Sequence, residues 1–78
     1  MFKDVLKTKR LALCLTQKQL SEKTGIALSN IKNWERGNYL PSSEHWEILY
    51  NFFLIEDTAY NLQQVYLKEK VYGRSNNG

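Results

Sequence analysis

The sequence predicts an all-α fold, a compact domain of five helices with a helix-turn-helix at its centre. Three observations carry this. Apolar residues recur at helical spacing in successive segments, and no strand-like alternation of apolar and polar residues occurs. Start and stop signals for helices fall between those segments, at Thr16, Gly25 and Gly37. Two short segments are separated by only three or four residues around Gly25, too few to let helices lie antiparallel, so they must cross at a steep angle.

Residues 2–13 form the first helix. Phe2, Val5, Leu6 and Leu13 fall on or near one face, with Lys3, Lys7 and Thr8 elsewhere. Thr16-Gln17-Lys18-Gln19 reads as a capping box: the Thr16 hydroxyl accepts from the Gln19 amide, and the Gln19 side chain reaches back to the Thr16 N–H. The second helix so started ends at Thr24, because Gly25 takes the left-handed conformation that closes a helix. The helical period resumes at Leu28, runs to Glu35 and is stopped by Gly37. Leu20, Ile26, Ile31 and Trp34 are expected to face inward and hold the crossing of these two helices. Residues 36–43 read as an exposed loop with Pro41 at its exit. Ser42 or Ser43 caps a fourth helix, whose Trp46, Leu49, Tyr50 and Phe53 make an apolar stripe. A fifth helix begins near Asp57 or Thr58 and runs to about Tyr72, with Ala59, Leu62, Val65 and Tyr66 on one side. Residues 75–78 have no means of packing and are expected to fray, which leaves residues 1–74 as the domain.

Composition narrows the function classes. Seventy-eight residues, 42% of them hydrophobic and 24% charged, suit one domain with a modest core. No apolar run approaches the roughly 20 residues that span a bilayer, and residues 1–7 lack the apolar stretch of a secretory signal. No membrane partner is expected. Cys14 is the only cysteine, so an intrachain disulfide and cysteine-based zinc sites are not expected. Its free thiol fits a reducing cytoplasm; an intermolecular disulfide is the alternative. His45, the only histidine, has no ligand set near it and is expected to lie exposed in the first turn of the fourth helix. The acids are scattered, and no acid–base pair, nucleophile signature, glycine-rich phosphate loop or zinc spacing occurs. An enzyme, a metal and a cofactor are therefore not expected.

The formal charge of +3 is mild, but its distribution is uneven. Residues 1–39 carry eight basic residues against Asp4, Glu22 and Glu35, whereas residues 40–67 carry four acids and no Lys or Arg. One reading is a basic half that faces a polyanion and an acidic half turned away. The other is ordinary surface charge that happens to segregate. Lys3, Lys68 and Lys70 read as solvated charges. Trp34 reads as core, and Trp46 and the aromatics of the fourth helix read as mostly core. Ten aromatics are many for so small a domain, and Tyr39, Leu40, Phe52 and Ile55 are not all easily buried. Some are expected to form a partner surface, most simply between two copies of the chain.

The stretch from Leu6 to Phe53 resembles the phage-repressor and Cro-like (XRE-type) helix-turn-helix family. The residues that carry the resemblance are Arg10, Leu15-Thr-Gln-Lys-Gln-Leu20, Gly25-Ile26, Ile31-Lys-Asn-Trp-Glu-Arg-Gly37 and Pro41-Ser42. It implies a lambda-repressor-like fold and a transcriptional regulator that binds double-stranded operator DNA. Residues 17–24 would be the positioning helix and residues 28–35 the recognition helix. The implied DNA-binding residues are Thr16, Gln17, Ala27, Leu28, Ser29, Lys32, Asn33 and Asn38. Gln17, among the free amides of its helix start, would meet a phosphate, and Asn38 would approach the backbone. Arg10 and Glu35 match a pair that in relatives ties the first helix to the third.

Side-chain chemistry sharpens those implied roles. Leu28 suits a thymine methyl, Ser29 discriminates weakly, and Asn33 can hold adenine through N6 and N7. Lys32 can reach guanine acceptors or a phosphate. So light a set is expected to need two copies on a paired half-site. Several residues depart from the family pattern. Cys14 stands where relatives often have the glycine that ends the first helix, Ser21 replaces a common alanine, and Ala27 replaces the usual Ser or Thr cap. Tyr50 and Leu54 take positions usually small and usually glycine. The resulting expectation is a cytoplasmic, homodimeric repressor or Cro-like regulator of phage or bacterial type. The alternative is a protein-docking module on the same fold, an antirepressor or antitoxin that binds a second regulatory protein.

Overall fold

The computed structural model describes residues 1–55 and 59–73, with Ile55, Ala59, Tyr60, Asn61, Tyr72 and Gly73 described by backbone alone. Five α-helices follow one another: α1 (Phe2–Ala12), α2 (Gln17–Thr24), α3 (Leu28–Arg36), α4 (Ser43–Ile55) and α5 (Ala59–Lys68). A π-helical turn, Glu69–Gly73, continues α5, and no strand occurs among the described residues.

Local chemistry explains most of the boundaries. α1 closes one residue earlier than its apolar period predicts, with Leu13 as its C-cap and Cys14 at φ +59°. A left-handed backbone is strained for any side chain that carries a Cβ, which is the geometry the usual glycine would relieve. The α2 capping box forms as its spacing predicts. The Gln19 amide donates to Thr16 Oγ1 at 3.0 Å, and the Thr16 amide donates to Gln19 Oε1 at 2.9 Å. Gly25 and Gly37 close α2 and α3 with φ of +76° and +80°. α3 runs one residue further than predicted, to Arg36. Ala27 precedes it with extended backbone but no side-chain cap. Ser42 is the residue that caps α4: its Oγ accepts from the His45 amide at 3.3 Å.

The core is built from Phe2 and Leu6 of α1, Leu20 of α2, Ile26 of the turn, and Ile31 and Trp34 of α3, with Leu49, Phe53, Leu62 and Tyr66 behind them. α1 packs on both α3 and α5, α4 packs on α5, and α2 rests on α3 and α4. The helix-turn-helix pair is thus held by Leu20, Ile26, Ile31 and Trp34, all buried. Ser21 fits at the crossing because its hydroxyl donates to the Ile26 carbonyl at 2.5 Å.

Four expectations need correction. The segment after α3 is not uniformly exposed: Leu40 is half-buried and Pro41 buried. The cause is α5, whose Tyr66 hydroxyl donates to the Pro41 carbonyl at 3.0 Å. Trp46 is half-buried rather than core, packed against the core with its ring stacked on Tyr66, centroids 4.1 Å apart. His45 is half-buried, its ring 5.5 Å from that of Trp34, and Ser42 Oγ lies 3.4 Å from His45 Nδ1. Lys70 is not simply solvated: its Nζ stands 5.6 Å above the Tyr66 ring, within cation–π range. The expected start of the fifth helix at Asp57 or Thr58 and the expected fraying of residues 75–78 lie outside the described residues.

Candidate nucleic-acid interface

The geometry of α3 begins with what holds it. Ile31 and Trp34 anchor one face in the core, and Trp34 Nε1 is buried with no acceptor among the described residues, so shape rather than hydrogen bonding fixes that ring. A buried ion pair secures the C-terminal half of the helix. Arg10 Nε donates to Glu35 Oε2 at 2.8 Å and Arg10 Nη2 to Glu35 Oε1 at 2.9 Å, a bidentate pair whose side chains are only 8% and 4% exposed. Arg10 Nη1 adds a bond to the Leu15 carbonyl at 2.7 Å, so one guanidinium joins α1, the α1–α2 turn and α3. The hydrogen bond to Glu35 raises the Arg10 pKa above its ordinary value, against the opposing effect of burial.

Gln17 belongs to the same network. Its Nε2 donates to Glu35 Oε1 at 3.1 Å, so the first residue of α2 is tied to the last turn of α3. The half-buried Gln17 side chain is held in one orientation at the start of α2, beside exposed Thr16, whose hydroxyl is occupied by the cap. The opposite face of α3 is open. Ser29 and Lys32 are exposed, Leu28 and Asn33 half-buried, and Ala27 is exposed at the leading edge. Asn33 is bonded on both sides, its Nδ2 donating to the Ser29 carbonyl at 2.8 Å and its Oδ1 accepting from Asn38 Nδ2 at 2.7 Å. Asn38 therefore lies against α3, not apart from it.

A cleft of about 310 Å³ opens between α1, α2 and α3, lined by Lys7, Arg10, Gln17, Lys32, Glu35 and Arg36. Its one carboxylate among the described residues, Glu35, is engaged by Arg10 and Gln17. Lys7, Lys32 and Arg36 are exposed and make no ion pair among the described residues, so the rim of the cleft is cationic. Lys7 and Arg36 were not evident as site residues from the sequence. The available signal was positional: Lys7 precedes Arg10 by one helical turn, and Arg36 adjoins Glu35. Among the described residues no cluster of His, Cys, Asp or Glu could hold a metal ion, and no helix is long and apolar enough to cross a membrane.

Two short helices joined at a left-handed glycine, the second presenting an open polar face beside a cationic cleft, define a helix-turn-helix domain of the DNA-binding class. Residues 6–53, more than half of the chain, match the model of a family described as helix-turn-helix, of the XRE type, and the chain belongs to that family. No curated protein and no solved structure matches it. Membership supports a DNA-binding helix-turn-helix regulator, with double-stranded DNA as the partner that this class of domain implies.

Proposed function

We propose that this protein is a sequence-specific transcriptional regulator, a repressor or Cro-like protein of phage or bacterial type, that binds operator DNA with α3 in the major groove. The observation that carries the proposal is the open face of α3, with Leu28, Ser29, Lys32 and Asn33 presented on a helix locked from behind by Ile31, Trp34 and the Arg10–Glu35 pair. A reading helix must be rigid to convert side-chain chemistry into base preference, and this one is tied to both neighbouring helices. Lys7 and Arg36, flanking that face, supply phosphate attraction. Thr16, Gln17 and Ala27 border it, with amide groups at the starts of α2 and α3 directed at the phosphate backbone. The protein acts as a homodimer on paired half-sites, in the cytoplasm, and works by occupying promoter DNA.

Binding of a random-sequence duplex pool at two salt concentrations, with recovery of the bound sequences, tests this. Enrichment of a paired half-site motif and weaker binding at the higher salt is the expected result, with log affinity falling by about 0.9 per decade of salt for each phosphate neutralised. Binding without any sequence enrichment would remove the specific-regulator reading. One observation favours a second reading, a docking module for another regulator. Ile48 and Leu54 of α4 and Leu67 of α5 are 41%, 54% and 47% exposed, an apolar presence that DNA contact through α3 leaves unused. Under that reading the chain associates with a protein, and salt changes the affinity little.

A further inference from the structure

The residue after the Gly37 reversal sets the chemistry of the reading face. Gly37, at φ +80°, turns the chain back so that the Asn38 amide donates to the Asn33 carbonyl at 3.0 Å and the Gly37 amide to the Trp34 carbonyl at 3.1 Å. This closure brings the two asparagine side chains together, and Asn38 Nδ2 donates to Asn33 Oδ1 at 2.7 Å. The next residue holds the loop in place: Tyr39 Oη donates to Asn30 Oδ1, on α3, at 3.1 Å.

Asn33 is left half-satisfied in a particular way. A primary amide has two N–H donors and a carbonyl oxygen with two acceptor positions. Asn33 Nδ2 spends one proton on the Ser29 carbonyl, and Asn33 Oδ1 spends one position on Asn38. One donor and one acceptor remain on the same amide. That pair is what adenine requires, since its N7 accepts and its N6 amino group donates in the major groove. The inverted amide would set Oδ1 against the Ser29 carbonyl, acceptor against acceptor, so Ser29 opposes inversion. Asn38, donating to Oδ1, holds the other end of the same amide in place.

We propose that Asn38 is a positioning residue that fixes the Asn33 side-chain amide, donor and acceptor oriented, for adenine in the major groove. This rests on the reading of α3 as the base-contacting helix. It gives Asn38 a different task from phosphate contact, and the two are separable because a phosphate contact carries no base preference.

The test uses the full chain and two duplexes that differ only in carrying adenine or guanine at the base Asn33 reads. The affinity ratio and the salt slope are measured for the parent, Asn33→Ala and Asn38→Ala. Asn33→Ala is expected to abolish the preference for adenine. Asn38→Ala is expected to reduce it about fivefold, the worth of one hydrogen bond, with the salt slope unchanged. A uniform weakening on both duplexes, with the slope shallower by about 1, would make Asn38 a phosphate contact and overturn the proposal. Loss of preference in Asn33→Ala alone would overturn it while leaving the reading of α3 intact. An unchanged preference in Asn33→Ala would overturn both. A DNA-free readout guards against a folding defect: in a ¹H–¹⁵N spectrum, Asn38→Ala should shift the Asn33 side-chain amide signals while the backbone signals of α1 and α2 stay in place. Unshifted Asn33 amide signals would also contradict the proposal.

Discussion

Arg10 and Glu35 carry more of the architecture than any other pair of side chains. Charges this deeply buried are stable only while paired, because the desolvation of each is offset by the other. Arg10→Met should therefore destabilise the domain by about 3 kcal/mol, since it strands a carboxylate with Gln17 as its remaining donor among the described residues. Arg10→Met combined with Glu35→Leu should recover most of the loss. Urea unfolding checks this through the midpoint at constant slope. A loss under about 1 kcal/mol in the single variant would mean that the pair is a surface contact. Cys14 shows a different economy at the same scale. It holds a left-handed backbone, φ +59°, that its position in the α1–α2 turn imposes, at a cost of about 1 kcal/mol.

At the scale of the helices, caps set both ends of α2, the end of α3 and the start of α4, whereas α3 starts without a side-chain cap. Ala27 has φ −58° and ψ 137°, a backbone that a capping serine adopts without change. Ala27→Ser should raise stability by about 1 kcal/mol, or about 4–8 °C in melting temperature for a domain of this size, read in a thermal melt. No gain would mean that the first turn of α3 is already satisfied by other donors and acceptors. The boundaries of α2 and α3 were legible in the sequence because a cap depends on residues three or four apart, as Thr16 and Gln19 are. The burial of Pro41 was not legible, because it depends on Tyr66, 25 residues away. The packing of His45 depends likewise on Trp34, in a different helix. The open face of α3 was readable from its period. The bond between Asn33 and Asn38 was not, since it exists only once Gly37 has reversed the chain.

Across the whole molecule, the division of charge follows the division of the fold. The basic stretch, residues 1–39, makes α1, α2 and α3, which surround the cationic cleft, while the acidic stretch supplies α4. α1 and α5 join the two parts, with Phe2 packed edge-on against Trp46 and Tyr66. Charge counts alone left ordinary segregation as an equal reading. The cleft gives the basic part a shape as well as a sign, because Lys7, Lys32 and Arg36 make no ion pair among the described residues and surround a carboxylate that Arg10 already neutralises. On the proposed function, DNA meets the protein on this side, along the outward face of α3. The most direct test is a ¹H–¹⁵N titration of the protein with a short random-sequence duplex at low salt. Amide shifts are expected to concentrate at Thr16 and Gln17, from Ala27 to Asn33, and at Arg36 and Asn38. Shifts concentrated instead at Ile48, Leu54 and Leu67, or no shifts at all, would contradict it.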